Sequence, residues 1–167
     1  MFLTVIVSLF VSLLSVYVSH KISEKREIRR AISLLKLELI TNLGLCDLLL
    51  SDFKKDIELN KQGKTMAAPF VLFSNIAWNT VGGILVTKFF KEAQKISSLY
   101  VLISYVNRII EQLNNMKPGN VASAISNIST IRIQILNGVS SFIIDTLKPN
   151  IQETLQLVIE LEKGIDC

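Results

Sequence analysis

Few residues in this 167-residue chain have the type and spacing that chemistry requires. Gly63-Lys64-Thr65 ends like a phosphate-binding loop, in which backbone amides cradle phosphates while the lysine and hydroxyl reach the terminal phosphate and its metal. That loop also needs a glycine five positions before Gly63, where Glu58 stands, and a preceding strand, where a helix is expected. The stretch therefore reads as a helix-ending turn. His20 is the only histidine, and it stands among basic residues at the edge of an apolar run, the place of an interfacial ring. Cys46 and Cys167 lie 121 positions apart without a histidine pattern, which is neither a disulfide framework nor a zinc site. Asp52, Asp56 and Glu58 could suggest paired acids. Asp52 and Asp56 lie one turn apart beside Lys54 and Lys55, however, as on a solvated helix face. No catalytic residue, cofactor or metal site is expected, and no enzyme.

Two other polar stretches need a place. In "LELITN", Asn42 falls among leucines one turn after Glu38, and a buried amide there requires partners. A polar contact that fixes helix register is the plainer reading and a ligand or partner site the sharper one. Asn107, in "LYVLISYVN", is the expected counterpart across the bundle. The second stretch, "SNIAWNTVGG" from Ser74 to Gly83, holds the only tryptophan. It reads as a joint between helices: Ser74 or Asn75 caps a short helix, Gly82 ends it, and Trp78 plugs the angle with its indole N–H on a nearby carbonyl. Because residues 65–87 carry no charge, a second membrane element is the competing reading, weakened by Pro69, Asn75, Asn79 and the Gly82-Gly83 pair.

The elements that hold these residues are helical throughout. From Lys21 to Gln62 there is no proline, and Ile28, Ile32, Leu35, Leu39, Asn42, Cys46, Leu49 and Phe53 step by fours and threes as a heptad seam. Leu34, Leu37, Leu45 and Leu48 widen it, as in a helix packed inside a bundle. "NKQGKT" breaks the run, with Gly63 where a C-cap needs positive φ. A further helix is expected from Phe89 to Met116, with Ile96, Leu99, Ile103, Val106, Ile110 and Leu113 on one face. "KPGN" at 117–120 reads as a turn. A last helical region from Val121 to Glu162 buries Ile128, Ile131, Ile135, Val139, Phe142 and Leu147, and Pro149 kinks or restarts it.

The chain opens on "MFLTVIVSLFVSLLSVYVS", nineteen residues without a charge. As a helix they span roughly 28 Å, close to the ~30 Å of bilayer hydrocarbon. No basic residue precedes the run and no small-residue cleavage site follows it, so an uncleaved anchor is expected rather than a signal peptide. Between residues 21 and 30 five bases (Lys21, Lys25, Arg26, Arg29, Arg30) face two acids, whereas the tail from Asp145 has five acids and two bases. The net charge of +4 is thus concentrated where the apolar run ends, a membrane-surface pattern rather than a nucleic-acid one. The positive-inside rule puts the N-terminus outside and the rest in the cytoplasm.

The order of "LKLELITNL", "IAWNTVGG" and "LYVLISYVN" resembles a loose group of small prokaryotic membrane-anchored helical proteins. The residues that carry the resemblance are Leu35, Lys36, Glu38, Leu39, Asn42, Leu43, Ala77, Trp78, Gly83, Tyr100 and Asn107. It implies an architecture and supplies no chemistry. The expectation is an all-α protein with an N-terminal transmembrane helix at residues 1–19. A basic juxtamembrane segment, 20–30, leads into a cytoplasmic antiparallel bundle of three to four helices at 31–167. Its expected role is non-enzymatic interaction or scaffolding at the cell membrane. Anionic headgroups and a second copy or unidentified protein are the expected partners, and no nucleic acid is. The alternative is a membrane-permeabilising or transport-related protein that uses residues 65–87 as a second membrane element.

Overall fold

The computed structural model describes the backbone of residues 2–64, 66, 68–116 and 122–166, and the side chains of these residues except 2–10, 122–127 and 166. The regular structure within them is helical: α1 (Phe2–Lys61), α2 (Ile76–Lys88), α3 (Phe90–Asn115), α4 (Ala122–Phe142) and α5 (Lys148–Asp166). A π-helical turn, Ile143–Leu147, joins α4 to α5 without a break, so the two make one rod. The "KPGN" turn lies outside the described residues.

α1 and α3 each pack against α2 and against the α4–α5 rod, and they stand diagonally across the bundle. Ion pairs fix the directions. Lys36 meets Glu162 at 2.6 Å and Asp47 meets Lys148 at 2.6 Å, so α5 runs antiparallel to α1. Lys88 pairs with Glu24, so α2 also runs back along α1. The second position of this up-down-up-down bundle is shared. Its upper half is a strap without helix, Met66 and residues 68–75, and its lower half is α2.

α1 extends 60 residues, about 90 Å, because nothing in it interrupts helical hydrogen bonding. Anchor region and bundle helix are one rod. It ends in a Schellman cap: Gly63 has φ 72°, its N–H reaches the Asn60 carbonyl at 3.0 Å, and Lys64 N–H reaches that of Leu59 at 2.8 Å. The heptad seam is the buried side, with Ile28 half-buried and Ile32 through Phe53 inaccessible. The wider stripe is corrected. Leu34, Leu37 and Leu48 are 49%, 63% and 50% exposed, so they lie outside the core.

Every expected inward residue of α3 is buried. In the last rod Val139 and Leu147 are buried as expected and Ile128, Ile135 and Phe142 are half-buried, whereas Ile131 is 47% exposed; Arg132, Leu136, Ile143, Ile151 and Val158 complete the inward line. Pro149 shapes the rod where α4 passes into α5. Its ring would meet the carbonyl of Asp145 in a regular α-helix, and it has no N–H to donate. The π turn widens the path just before it, with Lys148 N–H bonded to the Ile143 carbonyl five residues back. The helix is carried through the proline rather than broken.

At its other end α1 projects beyond the bundle. The core begins at Ala31, and Val11, Leu13, Val16 and Tyr17 are about 60–70% exposed. Among the described residues no helix is long and apolar enough to cross a membrane. The side chains of residues 1–10, half of the expected anchor, lie outside them.

Candidate functional site

The strap is held by main-chain recognition from both flanking helices. Asn42 of α1 donates to the Ser74 carbonyl at 2.8 Å and accepts from its N–H at 2.9 Å. Asn107 of α3 does the same to Phe73, at 2.9 and 2.8 Å, and Asn114 to Phe70, at 2.9 and 2.7 Å. Each amide side chain thus closes a two-bond ring with one residue of an extended chain. The spacing explains why this works. Asn107 and Asn114 are seven residues apart, about 10.5 Å along a helix, and Phe70 and Phe73 are three extended residues apart, about 9–10 Å. Phe70 and Phe73 then both turn into the core, where Phe70 meets Phe53 edge-on at 4.8 Å. Asn42 and Asn107 are therefore counterparts through the strap, gripping neighbouring residues from opposite sides.

Where the strap becomes α2, Glu38 of α1 collects four donors. Its Oε2 accepts from Ser74 Oγ at 2.6 Å and Ala77 N–H at 2.8 Å, and its Oε1 from Tyr100 Oη at 2.5 Å and Trp78 N–H at 3.4 Å. Ala77 and Trp78 are the second and third residues of α2, whose N–H groups have no partner inside their own helix. Of the two expected caps, Asn75 occupies the capping position without a side-chain bond, Ser74 Oγ accepts from Ile76 N–H at 3.5 Å, and the carboxylate from the neighbouring helix takes the next two N–H groups. Burial, the largest influence, pushes the Glu38 carboxyl up. The bonds from Ser74, Tyr100, Ala77 and Trp78 outweigh it and hold the group below its ordinary value. Burial first, and then Glu38 itself, push the Tyr100 hydroxyl far above its ordinary range, so Tyr100 stays the donor.

Trp78 stacks on Tyr100 at 5.5 Å with 11° between the rings, so it meets its neighbour through its face. Gly82 does not end α2, which runs to Lys88. It lies under the indole, where an added Cβ would stand 3.2 Å from Trp78 ring atoms. Its smallness serves a close approach.

The far end of the strap has a second latch. Asp56 is fully buried, against the expectation of a solvated face. Its Oδ1 accepts from Met66 N–H at 2.8 Å and its Oδ2 from Arg132 Nε at 2.7 Å. Arg132 also donates to the last carbonyls of α3, Leu113 and Met116, and lies over the Phe70 ring at 5.7 Å. One buried ion pair thus joins α1, the strap, α3 and α4.

The sequence residues fall into two groups. Glu38, Asn42, Trp78 and Asn107 converge at the head of the strap, while Lys21, Lys25, Arg26, Arg29 and Arg30 are exposed on α1 below the core. Tyr100, Asn114, Asp56 and Arg132 complete the site; of these the sequence offered Tyr100 through the resemblance and Asp56 as an acid on a solvated face, and it did not single out Asn114 or Arg132. A general acid or base needs a free lone pair or proton and a matched pKa. Glu38 has both oxygens committed to four donors and is held ionised. The arrangement latches a segment. Among the described residues no group of three or more His, Cys, Asp or Glu side chains could hold a metal ion.

The site and the bundle around it define an all-α helical bundle protein whose second position is half strap. Compared with protein-family models, curated protein sequences and solved structures, the chain finds no match.

Proposed function

We propose that this chain is a non-enzymatic, membrane-anchored helical protein whose bundle serves interaction or scaffolding. One observation carries the reading: α1 leaves the bundle as an unbroken helix on which Val11, Leu13, Leu14, Val16, Tyr17 and Val18 are exposed. Such a surface needs a partner, and continuity with the charge-free residues before it favours lipid. The exposed bases Lys21, Lys25, Arg26, Arg29 and Arg30 stand where an anionic headgroup layer would meet them, each worth ~1 kcal/mol near the surface. By the positive-inside rule the N-terminus is outside and the bundle cytoplasmic, at the cell membrane.

The second reading, a permeabilising or transport role for residues 65–87, has less behind it. α2 has 13 residues, about 20 Å, against the ~30 Å of a hydrocarbon core. Val81, Gly82 and Leu85 are also used up inside the bundle.

Flotation with lipid vesicles tests the leading reading. The full chain is expected to float with neutral and anionic vesicles and to resist alkaline extraction, and a chain lacking residues 1–19 to stay at the bottom. Glutamine at the five bases should weaken the preference for anionic vesicles without abolishing flotation. A full chain that remains soluble would overturn the anchor.

A further inference from the structure

α1 carries a second heptad seam, on the side away from the core. Leu34, Leu37, Thr41, Gly44, Leu48 and Ser51 step by 3-4-3-4-3, and all six are exposed. Between Arg30 and Asp52 the helix has three charged residues, Lys36, Glu38 and Asp47, none of them on this line. Each is already engaged, with Glu162, with the strap and α2, and with Lys148. Thr41 returns its hydroxyl to the Leu37 carbonyl at 3.0 Å and so leaves no donor facing outward. At Gly44 an added Cβ would meet nothing within 4 Å, so the face is open there. The core seam explains none of these residues.

We propose that this outer seam pairs with the same seam of a second copy of this chain, parallel and in register. Resting on the anchored reading above, the proposal uses two features of the seam. A heptad line is self-complementary when two copies run in the same direction, the direction that anchors in one membrane impose. The line itself is uncharged, and the acids that flank it, Asp47 and Asp52, are each paired within their own copy, with Lys148 and Lys55. The exposed aliphatic area, with Ile40 at the rim, is roughly 400 Å² per copy, the size at which a patch marks an interaction face. Two such faces bury about 800 Å² in all, short of the ~1,200 Å² of a stable free-standing complex. Tethering supplies the difference, because confinement to one membrane raises effective concentration toward the millimolar range. The pair forms where the anchor puts it and is weak elsewhere. The small residues Thr41, Gly44 and Ser51 let the two backbones approach closely at the middle of the seam.

Disulfide scanning of the full chain in vesicles tests this. Cys167→Ser removes the terminal thiol, while Cys46 stays, since burial makes it unreactive and pushes its thiol up to about 11. Single cysteines are then placed by Leu37→Cys, Gly44→Cys and Leu48→Cys on the seam, by Ile40→Cys at its rim, and by Val101→Cys away from it, exposed on α3. Mild oxidation is expected to link the seam variants at least fivefold faster than Val101→Cys, with Ile40→Cys in between. Leu37→Glu with Leu48→Glu, both surface changes, should abolish linking of Gly44→Cys with helicity unchanged. Equal or absent linking in a chain that floats would overturn the pairing and leave the anchor standing. Protection of Gly44→Cys from maleimide by vesicles, without linking, would overturn it in favour of lipid as the occupant. If the chain does not float, the anchor fails. Oxidation in solution at raised concentration then decides the pairing, a seam pattern supporting it and a flat one overturning it.

Discussion

Replacing Glu38 by glutamine isolates the latch at the head of the strap with almost no change of volume. The carboxylate accepts four bonds, two of them from main-chain N–H groups that cannot reorient. Glutamine has one carbonyl oxygen and one NH2, so the NH2 must face one pair of donors. Its better orientation keeps Ser74 and Ala77 and turns the NH2 on Tyr100 and Trp78, where the N–H contact is the longer at 3.4 Å. The Trp78 N–H is then orphaned and the Tyr100 hydroxyl must reverse, at about 1–3 kcal/mol for a buried unsatisfied donor. Loss of the charge at the N-terminus of α2 adds ~0.3–1 kcal/mol. The total is about 3 kcal/mol, which lowers Tm by roughly 6–12 °C for a chain of this size. Circular dichroism melts of the full chain in micelles read this directly. Tyr100→Phe should cost less, about 1 kcal/mol, because Glu38 keeps three donors. The double variant should fall short of the sum by 1 kcal/mol or more, since both residues share one hydrogen bond. The pH dependence has a fixed sign. The folded carboxyl is held below its ordinary 4.5, so its contribution is present above pH 4.5 and fades as pH falls toward the folded value. The gap between wild type and Glu38→Gln should therefore narrow under acid. A loss under 1 kcal/mol, strict additivity, or a gap that widens in acid would refute the reasoning.

The rest of the strap gives further expectations. Asn107→Ala and Asn114→Ala should speed amide hydrogen exchange at Phe73 and Phe70 respectively, each about 1–3 kcal/mol locally, and leave the α1 amides near Leu35 protected. Gly82→Ala should shift and broaden the emission of the single tryptophan by forcing Trp78 off Tyr100, whereas Gly83→Ala, with nothing within 4 Å, should leave emission unchanged and add up to ~1 kcal/mol. Arg132→Met strands Asp56 in the core and should cost about 3–5 kcal/mol by urea unfolding. The paired change Asp56→Asn with Arg132→Met should recover part of that, and a pair worse than the single change would contradict the ion-pair account.

The helices were legible because their periods are strong. α1 and α3 show their buried lines residue by residue, and Gly63 announces its cap. The strap was not, because it is held through its own backbone groups, which leave no trace in its side-chain pattern. A signal did exist on α3: Asn107 and Asn114 lie one heptad apart beside a charge-free stretch that contains Pro69. Asp56 was misread because Lys54 and Lys55 flank it, yet Phe53, Asp56 and Asn60 continue the α1 seam by a three and a four. Arg132 hides in the same way between Ile128 and Ile135. Burial of an ion pair depends on what another helix brings, and no single helix carries that information. The widened leucine stripe erred in the other direction, since in sequence an exposed leucine looks like a leucine facing a core.

The central claim is that a membrane holds this bundle by its first helix, with the bundle inside. Cys167 reports on it in the unaltered chain, because Cys46 is buried and its thiol is pushed up to about 11. Cells are treated with a membrane-impermeant maleimide before and after permeabilisation, and their membranes are then washed with alkali. The account predicts that the chain stays in the washed membrane and that Cys167 is labelled only after permeabilisation. Labelling in intact cells would put the bundle outside, and release of the chain by alkali would remove the anchor itself.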